Sequence, residues 1–447
     1  MIPYFFNIGI LFSYIFNMKE KLIKSTFILL VGGCITKVLG MLIKMVMGRM
    51  AGTEGLGLYM MILPTFSLFI GIGQFGLPIA LSKLVAEDTK NNKKLFFSVI
   101  PVSLIVNIIL IVFIILFAPI LANKLLHNND TYYGILAIAL VIPFTSISNI
   151  CRSYFFGKQK MLPHVISNVV EDVVRLIVIV VGLPFFMKKG YAYVVCFLIL
   201  VNVISESASI LILFLFLPKR FSINKADLIP SKYYIKESLS IGIPNTTGRL
   251  VGSIGYFLEP ILLSNVLVRV GYSSSYITSE YGILSGYVMP ILLLPSFFTS
   301  AISQALLPII SKEYAYRRIS SVKKKLRLGI ILSLSIGGIF MGLFMLFPEL
   351  FLKIIYHTDQ GAEYMKFLAP VCFFQYLQAP LSVSLEAMGK SKAVMFGSVL
   401  GMVVRTLLLV ILSFFRIGIW GLILAISVNV FVITFYDLLK VRKTLNY

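Results

Sequence analysis

Basic residues inside long apolar stretches are the part of this sequence with the clearest chemistry. An ionised group near the middle of a membrane costs about 2.5–3.5 kcal/mol, so such residues face a helix-bundle interior or a water-filled cavity. Lys37 and Lys44 are seven residues apart and share one helix face, and Asn245 and Arg249 share another at a spacing of four. The buried basic residues are Lys37, Lys44, Arg175, Arg249 and Arg405.

These positions predict a cationic cleft. Clustered lysine and arginine side chains bind anions, and arginine suits a phosphate or pyrophosphate group best. Lys37 and Arg249 lie deep in their stretches. Lys44 lies close to the end of its stretch, so the alternative for that residue is a side chain that reaches the membrane interface.

Acidic residues in the same stretches form a second set of charges. Glu171 precedes Arg175 by four residues, the order that favours an ion pair along a helix. We expect this pair to be structural, with a gating role as the alternative. Glu206 and Glu259 stand alone in their stretches. Each is expected either to carry a proton or Na⁺, or to be a hydrogen-bonded acid at a helix end.

The composition sets the class of protein. The 447 residues have a mean hydropathy of +0.95, with 58% hydrophobic and 13% charged residues, whereas soluble chains average about 25% charged residues. These values exclude a soluble enzyme, a disordered chain and a disulfide scaffold, and they predict a polytopic helical membrane protein. The net charge of +22 lies mostly between apolar stretches. It therefore indicates topology signals and anionic lipid rather than nucleic acid.

Neither catalysis nor a cofactor is expected. The four cysteines lack metal-ligand spacing, so we interpret them as packing residues and predict no metal. The connections between apolar stretches are too short for a folded catalytic domain. A Gly-Lys-Ser at 389–391 lacks the first glycine of a phosphate-binding loop. Transport is therefore expected to use H⁺, Na⁺, the membrane potential or the gradient of the substrate itself.

Twelve apolar stretches are long enough to cross a membrane core of about 30 Å. An even number places both termini on one side, and the excess of Lys and Arg in alternate connections predicts that this side is the bacterial cytoplasm. We expect an all-α polytopic protein of the plasma membrane that acts as a monomer. The stretches are approximately 25–48, 58–82, 95–120, 132–151, 162–186, 191–217, 238–266, 281–309, 328–348, 366–388, 393–415 and 417–436.

Short motifs recur in the two halves of the chain. Val-Val-Arg-Leu at 173–176 matches Val-Val-Arg-Thr at 403–406, and Gln-x-x-x-Pro-Ile at 74–79 recurs at 304–309. Two further matches follow the same order, which indicates a duplicated six-helix unit. Parallel halves related by an axis along the membrane normal face each other across a cleft.

The duplication divides the chain into predicted units. Residues 1–17 are interpreted as an apolar extension before a natural start at Met18, with an interfacial segment as the alternative. The remaining units are an N-terminal lobe at 18–218, a cytoplasmic linker at 219–237 and a C-terminal lobe at 238–447.

The first two stretches carry a recognisable pattern. Residues 36–59 read Thr-Lys-x-Leu-Gly, then Lys44, then Arg-x-x-Gly-x-Glu-Gly-x-Gly-x-Tyr, and residues 76–87 read Gly-Leu-Pro-x-Ala-x-Ser-Lys-x-x-Ala-Glu. Leu-Pro at 294–295 and Ala-Leu-x-Pro at 305–308 fit in the second half. The pattern resembles the stage V sporulation protein B family, within the superfamily of multidrug, oligosaccharidyl-lipid and polysaccharide exporters.

This resemblance implies two six-helix lobes in a V that rock between inward-open and outward-open states. It also implies that a lipid-linked saccharide, joined through pyrophosphate, is moved across the plasma membrane for spore cortex peptidoglycan. The family's basic residues in the first stretch map onto Lys37, Lys44 and Arg49. The residues predicted to bind substrate are Lys37, Lys44, Arg49, Asn245, Arg249 and Arg405, and those predicted for gating or ion coupling are Glu171, Arg175, Glu206 and Glu259.

Two other functions stay open. A MATE-type multidrug antiporter has the same number of spans, but it exports cations and needs acids in its cleft, where the first stretch offers lysines. A non-transporting scaffold in a wall-synthesis complex would tolerate neutralisation of the buried basic residues.

Overall fold

A computed structural model describes residues 3–87, 91–217 and 225–445. Within these ranges the side chains of 3–26, 30, 225–226, 245, 247–249 and 251 are not described. The described chain is helical with no strand, which confirms the all-α polytopic fold. The predicted extension at 1–17 has no described side chains, and the predicted linker at 219–237 lies partly outside the described residues.

The N-terminal half, up to residue 217, contains six helices. Helix α3 is extended by a short π-helical segment, Ile120–Leu125. The helices are α1 (Pro3–Gln74), α2 (Leu77–Ala86), α3 (Asn92–Pro119), α4 (Thr131–Gly157), α5 (Met161–Met187) and α6 (Tyr191–Leu215).

The C-terminal half begins with the short helix α7 (Lys225–Leu228) and the long helix α8 (Lys232–Val270). A π-helical segment, Ile283–Val288, follows α9. The other helices are α9 (Ser274–Gly282), α10 (Met289–Leu292), α11 (Leu294–Ala315), α12 (Ile319–Leu346), α13 (Pro348–Tyr356), α14 (Ala362–Gln375), α15 (Gln378–Ala387), α16 (Ser391–Ser413) and α17 (Trp420–Leu445).

Ten described helices are long and apolar enough to cross a membrane, against twelve predicted stretches. Two of the predicted stretches account for the difference. The first and most of the second both lie within α1, on either side of a kink, so they count as one helix. Helix α5 is 27 residues long but carries Glu171, Asp172 and Arg175 near its middle, and these charges lower its apolar character.

A kink in α1 separates these first two stretches. Gly52 has φ 68° and ψ −172°, which lies outside helical geometry. Only glycine adopts such a positive φ without a steric penalty, so this position allows the chain to bend back. Arg49 lies three residues before this kink, near the end of the first segment of α1.

The two halves pack against each other through α1, α8 and α9. Gly76 and Gly242 mark a second close approach, between α2 and α8. A Cβ atom on Gly76 would lie 2.2 Å from the carbonyl oxygen of Gly242, so this contact is possible only because Gly76 has no side chain. One cluster of buried apolar residues is continuous through both halves.

Candidate functional site

The first element of the site is an open stripe on α1. Gly33, Lys37, Gly40 and Lys44 recur at helical spacing and share one face. A Cβ atom added to Gly33 or Gly40 would meet nothing within 4 Å. Lys37 is exposed and Lys44 is partly buried. Two cations therefore lie along one face of α1, and the glycines at 33 and 40 leave free space beside that face.

Neither lysine of this stripe has an acidic partner in the part of the chain that the structure describes. No carboxylate of the described residues lies within 4.0 Å of either ammonium group. Asn245 and Arg249, which the sequence placed on the facing helix α8, lie outside the described side chains. Their convergence with Lys37 therefore stays a prediction.

A buried network of charges joins three helices of the N-terminal half. Arg152 of α4 forms ion pairs with Glu171 of α5 and with Glu206 of α6, the latter at 3.0 Å. The same guanidinium nitrogen, Nη2, donates to Ser209 Oγ at 2.7 Å. Because the side chains of Arg152, Glu171 and Glu206 are at most 10% exposed, the network ties α4, α5 and α6 together inside the bundle.

Glu171 is the centre of this network. One carboxylate oxygen pairs with Arg152 and the other with Arg175, so the predicted pair along α5 is present. Arg175 also pairs with Asp172 at 3.2 Å. Three carboxyl groups therefore face two guanidinium groups.

An ion pair in the C-terminal half joins Glu259 of α8 to Arg405 of α16. Glu259 is 9% exposed, and it also accepts a hydrogen bond from the Tyr281 hydroxyl at 3.3 Å. The close approach of α8 and α16 is helped by Gly255, where a Cβ atom would clash with Met402. Arg405 is therefore a neutralised cation.

The structure corrects the prediction that Glu206 and Glu259 stand alone. Each has an arginine partner on another helix, which their own stretches did not reveal. The predicted stretch 132–151 leaves Arg152 in a connection. Helix α4 in fact continues to Gly157 and buries Arg152 at 7% exposure.

Arg49 binds the C-terminal half rather than the open stripe. Its Nε donates to the carbonyl oxygen of Ile355 at 2.7 Å, and Nη2 donates to that of Ile354. Both carbonyls lie near the C-terminal end of α13, where backbone oxygens lack partners and favour a positive charge. Arg49 thus caps a helix of the opposite half.

Further contacts surround Arg49 and close the end of the stripe beyond Lys44. The Tyr287 hydroxyl donates to the carbonyl oxygen of Gly48 at 3.0 Å. A Cβ atom on Gly48 would lie 2.7 Å from the rings of Tyr287 and Tyr356. Burial raises the pKa of the Tyr356 phenol, so this ring stays uncharged against its aromatic neighbour.

Polar side chains extend this closure across the same end of the helices. We define the outer seal as the contacts of Gly48 and Arg49 with the other half, together with four hydrogen bonds. These bonds are Ser275 Oγ to Glu54 Oε1 at 3.1 Å, Asn128 Nδ2 to Thr278 Oγ1 at 3.1 Å, His127 Nε2 to Asn265 Oδ1 at 3.0 Å, and Ser274 Oγ to the His127 carbonyl at 2.6 Å. All of them join the two halves. They lie on the side that the charge distribution predicts to be outside the cell.

Comparisons with known proteins agree with this architecture. A family model described as polysaccharide biosynthesis protein matches residues 22–314, and one described as MatE matches residues 260–411. Stage V sporulation protein B of Bacillus subtilis (strain 168) is 34% identical over 438 residues, covering 96% of this chain and 85% of that protein. Lipid II flippase MurJ of the same organism is 22% identical, covering 88% of this chain and 77% of that protein.

Solved structures share the fold. An inward-facing multidrug resistance MATE family transporter superposes with a TM-score of 0.70 at 17% identity, covering 92% of this chain and 94% of that one. Lipid II flippase MurJ in an inward closed conformation also gives 0.70, at 16% identity, covering 92% of this chain and 87% of that one. At such identities, the likeness concerns the arrangement of the helices.

Proposed function

This chain belongs to the polysaccharide biosynthesis protein family, as a stage V sporulation protein B-like member of the multidrug, oligosaccharidyl-lipid and polysaccharide flippase superfamily, and we propose that it moves a lipid-linked saccharide precursor across the bacterial plasma membrane. The proposed cargo is a peptidoglycan or polysaccharide precursor joined to its lipid through pyrophosphate. Its proposed place is the synthesis of the spore cortex.

The open stripe on α1 carries this proposal. Lys37 and Lys44 lie on a face that meets no neighbouring atoms at Gly33 and Gly40. A lysine that faces hydrocarbon carries a large penalty, so we propose that this face adjoins a water-filled space between the halves. Two cations that have no acidic partner among the described residues would attract a multivalent anion such as a pyrophosphate, and Arg249 is proposed to join them from α8.

The outer seal supports an alternating-access mechanism. The stripe is closed beyond Gly48 by residues of the other half. Substrate would therefore enter from the predicted cytoplasmic side, where both termini are proposed to lie. Rocking of the halves would break the seal and expose the stripe to the outside.

The paired charges are proposed to hold particular helices of each half together while the halves move. Arg152, Glu171, Arg175 and Glu206 join α4, α5 and α6, and Glu259 with Arg405 joins α8 and α16. Arg405 is thus proposed to contribute to helix packing rather than to direct substrate binding. Arg49 is proposed to act through the seal for the same reason.

A multidrug antiporter remains the second candidate because it shares the helix arrangement. It exports organic cations and needs an unpaired carboxylate on its cleft. Glu171, Glu206 and Glu259 are each neutralised by arginine. The charges that face the open stripe are positive, which disfavours a cationic substrate.

The test is binding of an undecaprenyl-pyrophosphate-linked saccharide to purified protein in nanodiscs. Lys37→Ala and Arg249→Ala are expected to weaken binding at least about tenfold, since each removes a charge-assisted contact of roughly 1.5–3 kcal/mol. Lys124→Ala is the matched control, because Lys124 is an exposed residue at the end predicted to face outside. It is expected to leave binding unchanged.

Two results would count against the flippase. Saturable binding of an organic cation, with no binding of the saccharide lipid, would favour the antiporter. Absence of both would favour the scaffold in a wall-synthesis complex.

A further inference from the structure

A carboxyl group of α17 is buried, and no described residue offers it a charged partner. Asp437 is 1% exposed. Its Oδ2 accepts a hydrogen bond of 2.6 Å from the Ser382 hydroxyl of α15. Its Oδ1 is buried and has no hydrogen-bond partner among the described residues. The sequence missed this residue, because the last predicted stretch ended at residue 436.

Asp437 differs from the other buried acids of the membrane-spanning helices. Glu171, Glu206 and Glu259 each pair with an arginine. No basic nitrogen of the described residues lies within 4.0 Å of Asp437. Lys440, one turn later on the same helix, places its Nζ 5.3 Å from the centre of the Tyr436 ring instead.

The elements around Asp437 supply hydroxyl groups and apolar surface. Ser382 faces it from α15, and Gly397 of α16 allows the close approach, since a Cβ atom there would lie 3.3 Å from Oδ1. No other charged group on these helices forms a contact with Asp437 among the described residues, and Arg405 pairs with Glu259 instead. The exposed charged residues are Glu386 on α15, Lys392 on α16, Arg442 and Lys443 on α17, and Glu363 and Lys366 on α14. The other titratable groups are Tyr436 and Lys440 on α17, and Tyr364 and Cys372 on α14.

An ionised carboxylate in this setting is strongly unfavourable, because burial removes its hydration and no described residue supplies an opposite charge in its place. A neutral carboxylic acid needs far less compensation, and the Ser382 hydroxyl already supplies one hydrogen bond. We propose that Asp437 is a proton-binding site of the C-terminal half, protonated in this conformation.

The position of Asp437 suggests what the proton does. Neutral Asp437 allows α15, α16 and α17 to pack closely at the end predicted to face the cytoplasm. The neighbouring Gln378 of α15 also bridges to α17, donating to the Val430 carbonyl and to Thr434 Oγ1 at 3.2 Å each. Loss of the proton to cytoplasmic water would leave a charge between α15 and α17. The packing at this end would then loosen as the half rocks.

A role of Asp437 in coupling rests on the proposed flippase function. Its role as a proton-binding site does not depend on that function. The test is infrared spectroscopy of the purified protein in nanodiscs at neutral pH. The carbonyl band of protonated carboxyl groups is compared among wild type, Asp437→Asn and Glu206→Gln. Asparagine closely matches the neutral acid in shape, so Asp437→Asn is expected to retain the thermal midpoint of the wild type.

The expected result is that Asp437→Asn removes one component of the band and that Glu206→Gln retains this component. Ser382→Ala is expected to keep the component but shift its frequency, because the hydrogen bond to Oδ2 is lost. An Asp437→Asn spectrum that retains the whole wild-type band would overturn the proposal. Loss of the component when Na⁺ replaces K⁺ in the buffer would also overturn the proposal, since the site would then bind sodium.

Binding of the undecaprenyl-pyrophosphate-linked saccharide is measured on the same samples. If the lipid fails to bind but Asp437→Asn removes the component, the proton site is supported and the flippase proposal fails. If the lipid binds and the component is unaffected, the flippase is supported and the proton site is refuted.

Discussion

Glu259 of α8 and Arg405 of α16 form an ion pair that fixes two helices of the C-terminal half to each other. Arg405 and Arg175 occupy equivalent places in the repeated Val-Val-Arg motif. Arg175 finds Glu171 one turn earlier on its own helix, whereas Gly401 stands at that place before Arg405. The acid that Arg405 needs comes instead from another helix. The two halves thus neutralise equivalent arginines by different routes.

Removal of Arg405 is expected to destabilise the protein. Breaking a buried ion pair by deleting one partner costs about 3–5 kcal/mol, and the 28% exposure of Arg405 places this case near the lower end. Arg405→Ala should lower the thermal midpoint in detergent, and Glu259→Gln/Arg405→Met should recover part of the loss. Arg327→Ala, on an exposed position of α12, is the matched control. Equal midpoints for Arg405→Ala and Arg327→Ala would contradict the structural role of the pair.

Two adjacent acids of α5 are expected to differ in importance. Glu171 bridges Arg152 and Arg175, whereas Asp172 contacts Arg175 alone. Glu171→Gln should therefore lower the thermal midpoint more than Asp172→Asn does. Both substitutions remove one negative charge, so a difference between them reports contacts rather than net charge. The opposite order would mean that Glu171 is not the centre of the network.

Arg49 is expected to hold the outer seal closed. A cysteine at Gly40 in a background without the four native cysteines should be shielded from an impermeant reagent added outside. Arg49→Ala should increase its labelling several-fold. Arg49→Lys should restore shielding only in part, because an ammonium group lacks the planar fork that reaches two adjacent carbonyls. Labelling that is equal in the presence and absence of Arg49 would show that the seal does not depend on this contact.

Two glycines of α1 are expected to respond to alanine in opposite directions. A Cβ atom on Gly57 would lie 2.1 Å from the Thr278 carbonyl oxygen, whereas one on Gly33 would meet nothing. Gly57→Ala should push the halves apart at a cost of about 1–3 kcal/mol. Gly33→Ala should stabilise the helix by about 0.5–1 kcal/mol. Thermal midpoints of the two variants test this prediction. An unchanged midpoint for Gly57→Ala would contradict the close contact between Gly57 and Thr278.

The orientation in the membrane is testable with single cysteines. A cysteine at Lys124 should react with an impermeant reagent added outside intact cells. A cysteine at Lys390 should react only after the cells are opened. Both residues are exposed, so access depends on side rather than on burial. The reverse pattern would invert the predicted topology and place the seal on the cytoplasmic side.

The limits of sequence analysis show most clearly at Arg152 and Asp437. Each lies one residue beyond the end of a predicted stretch, at 151 and 436, but α4 continues to Gly157 and α17 to Leu445. A hydropathy criterion ends a span at the first charge and so assigns that charge to the connection. Helices continue past such a charge wherever neighbouring helices bury or pair it. Both residues were missed for this reason.

The sequence by itself determined the class of protein, the approximate positions of most membrane-spanning helices and the cationic face of α1. These are local properties, because apolar length and helical spacing are read from neighbouring residues. Only the tertiary structure decided that Glu206 meets Arg152, that Glu259 meets Arg405, and that Arg49 caps α13. The partners lie far apart along the chain, and the packing of whole helices brings them within bonding distance.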